Sequence, residues 1–128
     1  MRLSRGKPRL PVLVLLCLGA LAFHALVSAR ASSAADYAVL RAASYERDNA
    51  SEWVRLEFDR PVQSKSATLD RSSAHNLPAR VYVDFLDARI SASVPSTITP
   101  PSSLVQRIRI AQKEPTVIRV VCDVSRPL

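Results

Sequence analysis

Three short segments of this chain repeat one alternating pattern. Residues 80–85 (RVYVDF) return as residues 119–124 (RVVCDV), and residues 53–58 (WVRLEF) form a looser copy that keeps an acid in the fifth position. In each copy an apolar residue occupies every second position, which is the period of a half-buried β-strand. The copies are separated by 27 and then 39 residues, so a solenoid of fixed period is excluded. The pattern predicts an all-β fold, a small β-sandwich with internally repeated strands.

Further strands are predicted around these copies. Residues 62–69 form a weaker alternating segment, and residues 105–111 alternate clearly and pair with the last copy as a hairpin through a turn at 112–115. The segment 37–45 fits a helix or a strand by pattern, and we predict a strand because the remainder is all-β. Residues 88–104 are rich in Ser, Thr and Pro and are predicted to form an ordered crossover.

One phase of the alternation is predicted to face the core. If four strands share that phase, their apolar residues form the inner face of the sandwich. These residues are Val54, Leu56, Phe58, Val81, Val83, Phe85, Ile108, Ile110, Val120, Cys122 and Val124.

The N-terminus has the order of a secretory signal peptide. Four basic residues precede an apolar run at 10–26, and small residues follow around Ala29 and Ala31. The run of 17 residues is intermediate between a signal-peptide core and a membrane span, so an N-terminal anchor helix is the alternative. Either reading predicts that the rest of the chain is exported.

The chain is therefore divided into three parts. Residues 1–31 are predicted to be a signal peptide or N-terminal membrane anchor, and residues 32–36 a linker. Residues 37–128 are predicted to be one sandwich domain, a size sufficient for one core. Contact with a membrane is expected only through the N-terminal segment.

The basic charge of the chain does not indicate nucleic-acid binding. Four of the 18 Lys and Arg residues lie in the leader, which leaves 14 bases against 11 acids after a cut at Ala29. This part contains no dense Lys/Arg run and no RNA-binding aromatic signature, so no nucleic-acid partner is expected. A modest positive excess suits an acidic polymer outside the cytoplasm, and a mixed-charge surface explains it equally well.

The sequence beyond the leader offers no catalytic constellation. His75 is its one histidine, in a polar loop, whereas a zinc hydrolase needs several His or Glu ligands around an open position. Both glycines lie in the leader, so no glycine-rich loop can hold a phosphate. Cys122 is predicted to be a small buried hydrophobe. We expect no catalytic residue, no metal and no cofactor, and predict that the chain is not an enzyme.

The outward phase of the strands holds the candidate binding residues. If these strands are neighbours, rings and guanidinium groups form a flat surface that suits a glycan carrying carboxylates. The alternative is an ordinary solvated sheet face, in which Asp84 and Asp123 are cross-strand charge partners of nearby arginines. The candidates are Arg80, Arg109, Arg119, Arg107, Arg55, Trp53 and Tyr82.

Taken together, three motifs resemble the AMIN domain. They are residues 77–85 (LPARVYVDF), 105–112 (VQRIRIAQ) and 117–124 (VIRVVCDV), in that order behind an export signal. The resemblance covers about 37–128. It implies an exported, periplasmic β-sandwich module of the kind found ahead of N-acetylmuramoyl-L-alanine amidases and in type IV pilus secretins. Because the family commonly continues with another strand after the last motif, the domain is expected to be truncated at its C-terminus.

The resemblance also implies a function. A member of this family is expected to bind peptidoglycan without catalysis and to localise a cell-wall enzyme or envelope complex. It carries the binding role onto Arg80, Arg109 and Arg119, which occupy the family's arginine positions. The alternatives are the targeting portion of a zinc-dependent amidase whose catalytic domain lies downstream, and the periplasmic section of a secretin-type envelope protein.

Overall fold

The computed structural model describes residues 12–17, 24–25 and 37–127. All regular secondary structure in these residues is β-strand. The all-β prediction is confirmed. The strands are β1 (Val12–Cys17), β2 (His24–Ala25), β3 (Ala38–Arg47), β4 (Glu52–Phe58), β5 (Gln63–Leu69), β6 (Ala79–Leu86), β7 (Ala88–Ile90), β8 (Thr97–Ile98), β9 (Val105–Glu114) and β10 (Val117–Val124).

The strands form two sheets. The first sheet has the order β2-β1-β4-β3-β7, and the second has the order β5-β6-β10-β9-β8. Neighbouring strands are antiparallel except for β3 and β7, which run parallel. The last two repeat copies, β6 and β10, are direct neighbours in the second sheet, whereas the first copy, β4, lies in the first sheet.

The two sheets pack face to face around one hydrophobic core. Phe58 of the first sheet contacts Phe85 of the second with ring centroids 5.1 Å apart. The predicted inner face is confirmed, and ten of its eleven residues are buried. Val81 is half-buried, because its inner-phase neighbour on β5 is the exposed Thr68 and the first sheet does not cover β5.

Six further residues complete the core. Three of them lie on β3 and β7, and three lie on β6, β9 and β10 outside the repeated hexapeptides. These residues are Ala38, Leu40, Ala79, Ala88, Val105 and Ile118.

The Pro-rich crossover is ordered, as predicted. Ser102 donates to Glu52 Oε1 at 2.8 Å, and its Oγ accepts from the backbone N–H groups of Leu104 and Val105. The Tyr45 hydroxyl donates to the same Glu52 oxygen at 2.9 Å. These bonds fix the end of the crossover to the first sheet.

The β9–β10 hairpin is longer than predicted. β9 extends to Glu114, so the predicted turn at 112–115 is wrong and the connection is Pro115 and Thr116. Gln112 explains the extension, since its amide donates to the carbonyls of Ala88 and Glu114 at 3.0 and 2.8 Å.

The leader is described only at its two strands. β1 pairs antiparallel with β4 along its length, from Val12 opposite Phe58 to Cys17 opposite Trp53. No helix in the described residues is long and apolar enough to span a membrane. Most of residues 1–31, and all of 32–36, lie outside the described residues, so the signal-peptide and linker assignments remain predictions.

Candidate functional site

The outward side of the second sheet carries three cross-strand rows of side chains. Register places Lys65, Asp84, Arg119 and Ala111 in one row, and Ala67, Tyr82, Val121, Arg109 and Thr97 in the next. The third row holds Leu69, Arg80, Asp123 and Arg107. We call this surface, with Lys113 and Glu114 at the end of β9, the cationic face.

The first row is fixed by a bidentate ion pair. Arg119 donates through Nε and Nη2 to the two carboxylate oxygens of Asp84, at 2.6 and 2.7 Å. The Lys113 ammonium lies 3.4 Å from Asp84 Oδ2. The hydrogen bonds from Arg119 lower the pKa of Asp84 below its ordinary value, and the same contact raises the pKa of Arg119.

The third row is organised around a buried carboxylate. Asp123 is only 2% exposed, and both of its oxygens accept from arginines of β9. Arg107 reaches Oδ2 at 2.9 Å through Nε, and Arg109 reaches Oδ1 at 2.8 Å. The predicted cross-strand pairing is thus confirmed for both carboxylates: Asp84 pairs with Arg119, and Asp123 pairs with Arg107 and Arg109 of β9.

Arg80 is left without a polar partner in the described part of the chain. It stands opposite Asp123 in the register, yet its Nε is buried and makes no hydrogen bond. Arg55 and Arg109 likewise have a buried Nε without a partner, so this feature is not special to Arg80. What distinguishes Arg80 in its row is that it has no carboxylate partner among the described residues, whereas Arg107 is paired with Asp123.

An apolar stripe runs between the two charged rows. Tyr82, Val121 and Ala67 are half-buried neighbours in the middle row. The Arg119 guanidinium lies over the Tyr82 ring, 4.1 Å from its centroid, and so holds one face of the ring. Along β6 and β10 the surface therefore alternates between charged and apolar rows, and at β9 the middle row ends in Arg109.

The cationic face has an excess of positive charge. It carries six basic side chains against three carboxylates, an excess of three. The bases are Lys65, Arg80, Arg107, Arg109, Lys113 and Arg119, and the acids are Asp84, Glu114 and Asp123.

Two of the seven predicted binding residues lie elsewhere. Trp53 and Arg55 are on β4, on the outward side of the first sheet, because β4 does not join the sheet that holds the other two copies. Arg55 is paired there with Glu46 at 3.2 Å. The condition that the strands are neighbours is met for five of the seven residues, so Arg80, Tyr82, Arg107, Arg109 and Arg119 are brought together and Trp53 and Arg55 are not.

Lys65 and Lys113 belong to the cationic face and were missed by the sequence prediction. Lys65 lies on the outward side of β5. Because β5 consists mostly of small polar residues, its sequence does not indicate which residues face outward. Lys113 was placed in a turn, and only the extended β9 brings it onto the face.

The remaining polar candidates are isolated. Within the described residues, no group of three His, Cys, Asp or Glu side chains could hold a metal ion. His75 is an exposed loop residue, as predicted. Cys122 is buried under the second sheet, and burial raises the pKa of its thiol to about 12, which keeps it protonated and inert.

Comparison with known proteins adds one family. The model of the AMIN domain matches residues 43–127, a span from β3 to the residues just after β10. No curated protein and no solved structure matches the chain.

Proposed function

Because the chain belongs to the AMIN domain family, we propose that it is a non-catalytic module that binds peptidoglycan through the cationic face. The proposal places the chain in the bacterial envelope, on the periplasmic or otherwise exported side. The observation that carries it is the pairing of an apolar stripe with charged rows on one flat surface.

The layout of the cationic face matches the chemistry of a peptide-bearing glycan. A sugar ring has apolar C–H faces and polar edges, so it can lie on Tyr82 and Val121 while the rows on either side meet its substituents. The stem peptides of peptidoglycan carry carboxylates, which guanidinium groups bind in a planar fork. Arg80, which has no carboxylate partner in the described part of the chain, is the arginine of its row that is free to pair with such a carboxylate.

The paired arginines contribute in a different way. Arg119, Arg107 and Arg109 are held by Asp84 and Asp123, so they are fixed in position before any ligand arrives. Their side chains remain 30% to 51% exposed. Fixed cations lose little side-chain entropy on binding, which favours recognition of a repeating polymer through many weak contacts.

The test is co-sedimentation of the purified chain with insoluble peptidoglycan sacculi. We expect Arg80→Gln/Arg119→Gln to reduce retention by about tenfold, since each exposed guanidinium contact is worth about 0.2–1 kcal/mol and longer-range attraction is lost as well. Binding of the unmodified chain should weaken as salt rises, because exposed charges are screened.

The matched control removes two arginines from the first sheet. Arg41 and Arg89 are both exposed and belong to β3 and β7. Arg41→Gln/Arg89→Gln changes the net charge by the same amount and should leave retention unchanged. Equal retention by both folded double variants would mean that the arginines of the cationic face only brace the sheet.

The proposal includes no hydrolytic step. Sacculi incubated with the chain and zinc should release no soluble muropeptides above the buffer control. The same binding role would serve a longer protein, whether the downstream part is a zinc amidase or a secretin-type envelope protein.

A further inference from the structure

A polar cleft of about 630 Å³ opens at one end of the cationic face, beside the row of Arg80, Asp123 and Arg107. Its volume lies within the range of about 300–1,000 Å³ that is common for small-ligand sites. Four segments bound it: the loop between β5 and β6, Thr99 of the crossover, the start of β9, and the end of β10. The lining residues are Arg71, Ser72, Ser73, Asn76, Leu77, Pro78, Thr99, Gln106, Arg107 and Asp123.

The loop that forms one wall is held in a single shape. Ser72 and Leu77 exchange two backbone hydrogen bonds, of 3.0 and 2.9 Å, so the loop closes like a small hairpin. Asn76 has a φ of 51°, and its N–H donates to the Ser73 carbonyl at 3.3 Å. Asn tolerates this left-handed conformation better than most residues, and such positions are often found at ligand sites. The side chains of the wall are therefore presented from fixed backbone positions.

The charge of the cleft favours an anion. Arg71 is exposed and has no ion pair in the described residues. Arg107 uses Nε and Nη2 on Asp123 Oδ2, at 2.9 and 2.8 Å, and its side chain is still 51% exposed. Since Asp123 is also neutralised by Arg109, two guanidinium groups face the cleft against one fully paired carboxylate.

The uncharged residues that line the cleft are also suited to a peptide ligand. Hydroxyl and amide groups of Ser73, Asn76, Thr99 and Gln106 line the cleft and can accept or donate hydrogen bonds to a peptide. A carboxylate matches the planar guanidinium fork of Arg71, and the stem peptides of peptidoglycan carry carboxylates.

We propose that this cleft binds a free carboxylate of the peptide stems, with Arg71 as its main cation and Arg107 as its second. The inference rests on the proposed function and deepens it, because the apolar stripe would bind the glycan and the cleft would bind the peptide. The cleft and Arg80 lie at the same end of the sheet, so one ligand can occupy both.

The direct test uses a probe whose one charge is a carboxylate. Acetyl-D-alanyl-D-alanine is titrated into the isotopically labelled chain, and the backbone amide shifts are followed by NMR. We expect shifts at Asn76, Gln106 and Arg107 with the acid, and none of comparable size with the same dipeptide as its C-terminal amide. Equal shifts with the two probes, or shifts confined to other strands, would overturn the proposal.

Variants then assign the cation. Arg71→Gln should weaken binding of the acid about fivefold, in line with loss of one exposed charged contact. Asn76→Gly, which keeps the left-handed backbone, should preserve the fold and weaken binding less. Arg41→Gln, on the first sheet, is the matched control and should bind the acid as the unmodified chain does. Unchanged binding by a folded Arg71→Gln chain would refute the assignment.

Sacculi separate this inference from the proposed function. Intact sacculi should retain Arg71→Gln less well than the unmodified chain, and glycan strands stripped of their peptides should retain the two equally. Arg71→Gln retained fully by intact sacculi, with Arg80→Gln/Arg119→Gln released, would refute the cleft and leave the cationic face standing. Failure of the unmodified chain to bind intact sacculi would refute the proposed function itself.

Discussion

The two outward faces of the sandwich are built from strands of the same pattern, yet their charges differ. The cationic face has an excess of three positive charges, whereas β3, β4 and β7 carry four arginines against three glutamates, an excess of one. These are Arg41, Arg47, Arg55 and Arg89 against Glu46, Glu52 and Glu57. On the cationic face Asp84 and Asp123 accept from arginines and Glu114 is exposed, whereas on the other face Glu46 and Glu57 are half-buried. A repeated strand thus supplies similar cores but not similar surfaces, and the larger positive excess lies on the cationic face.

The largest expected difference between the faces concerns stability. Asp123→Asn removes a buried negative charge that accepts hydrogen bonds from Arg107 and Arg109. Glu46→Gln removes a negative charge from the ion pair with Arg55, in which the two side chains are 42% and 37% exposed. We expect a loss of about 2–3 kcal/mol for the first and below about 1 kcal/mol for the second. Urea unfolding of both variants measures this, and equal losses would remove the distinction between a braced face and an open one.

A smaller effect depends on pH. The bidentate contact with Arg119 lowers the pKa of Asp84 below the ordinary value of 3.8, so the carboxylate is more ionised in the folded than in the unfolded chain. Its stabilisation is present above about pH 4 and is lost as the pH falls through the lowered pKa. Asp84→Asn should cost about 1–2 kcal/mol at pH 7 and much less near pH 2, as measured by urea unfolding. An equal stability loss for Asp84→Asn at the two pH values would show that the Asp84–Arg119 ion pair does not stabilise this row.

The strands themselves could be predicted from the sequence because their alternation is strong. The predicted copy at 119–124 lies within β10 and shares its last residue, and the inner phase of β4, β6 and β9 follows from the same period. Register errors are penalised there, since a shift of one residue would expose the whole apolar set. The weak points were β5 and the end of β9, where polar residues carry no phase signal.

The candidate site was only partly predictable, for a different reason. Alternation reveals which side of a strand Trp53 or Arg80 occupies, but strand order depends on long-range pairing that a local pattern does not encode. Two of the three repeat copies became neighbours and the third did not. The cleft needed still more, because Arg71 and Arg107 come together only when the β5–β6 loop packs beside β9.

An aromatic residue on each face gives a finer comparison. Tyr82→Ala removes the ring beneath Arg119 and part of the apolar stripe, so retention by sacculi should fall about two- to tenfold. Trp53→Ala should leave retention unchanged, because Trp53 lies on the outward side of β4 in the other sheet. Circular dichroism checks the fold of both. A loss of retention for Trp53→Ala alone would transfer the binding surface to the first sheet.

The smallest expected effect is none at all, and it uses the single tryptophan of the chain. Trp53 is half-buried on the face opposite to the cationic face, so its fluorescence reports on the first sheet without any substitution. A ligand bound to Tyr82 and Arg80 lies on the other side of the core and does not change the surroundings of the indole. We therefore expect the emission maximum and acrylamide quenching of Trp53 to stay constant while soluble peptidoglycan fragments saturate the chain. Saturation is followed independently by NMR shifts on β6 and β10. A blue shift or protection from acrylamide at saturation would place ligand against Trp53 and Arg55, and would return both residues to the binding surface that the sequence first predicted.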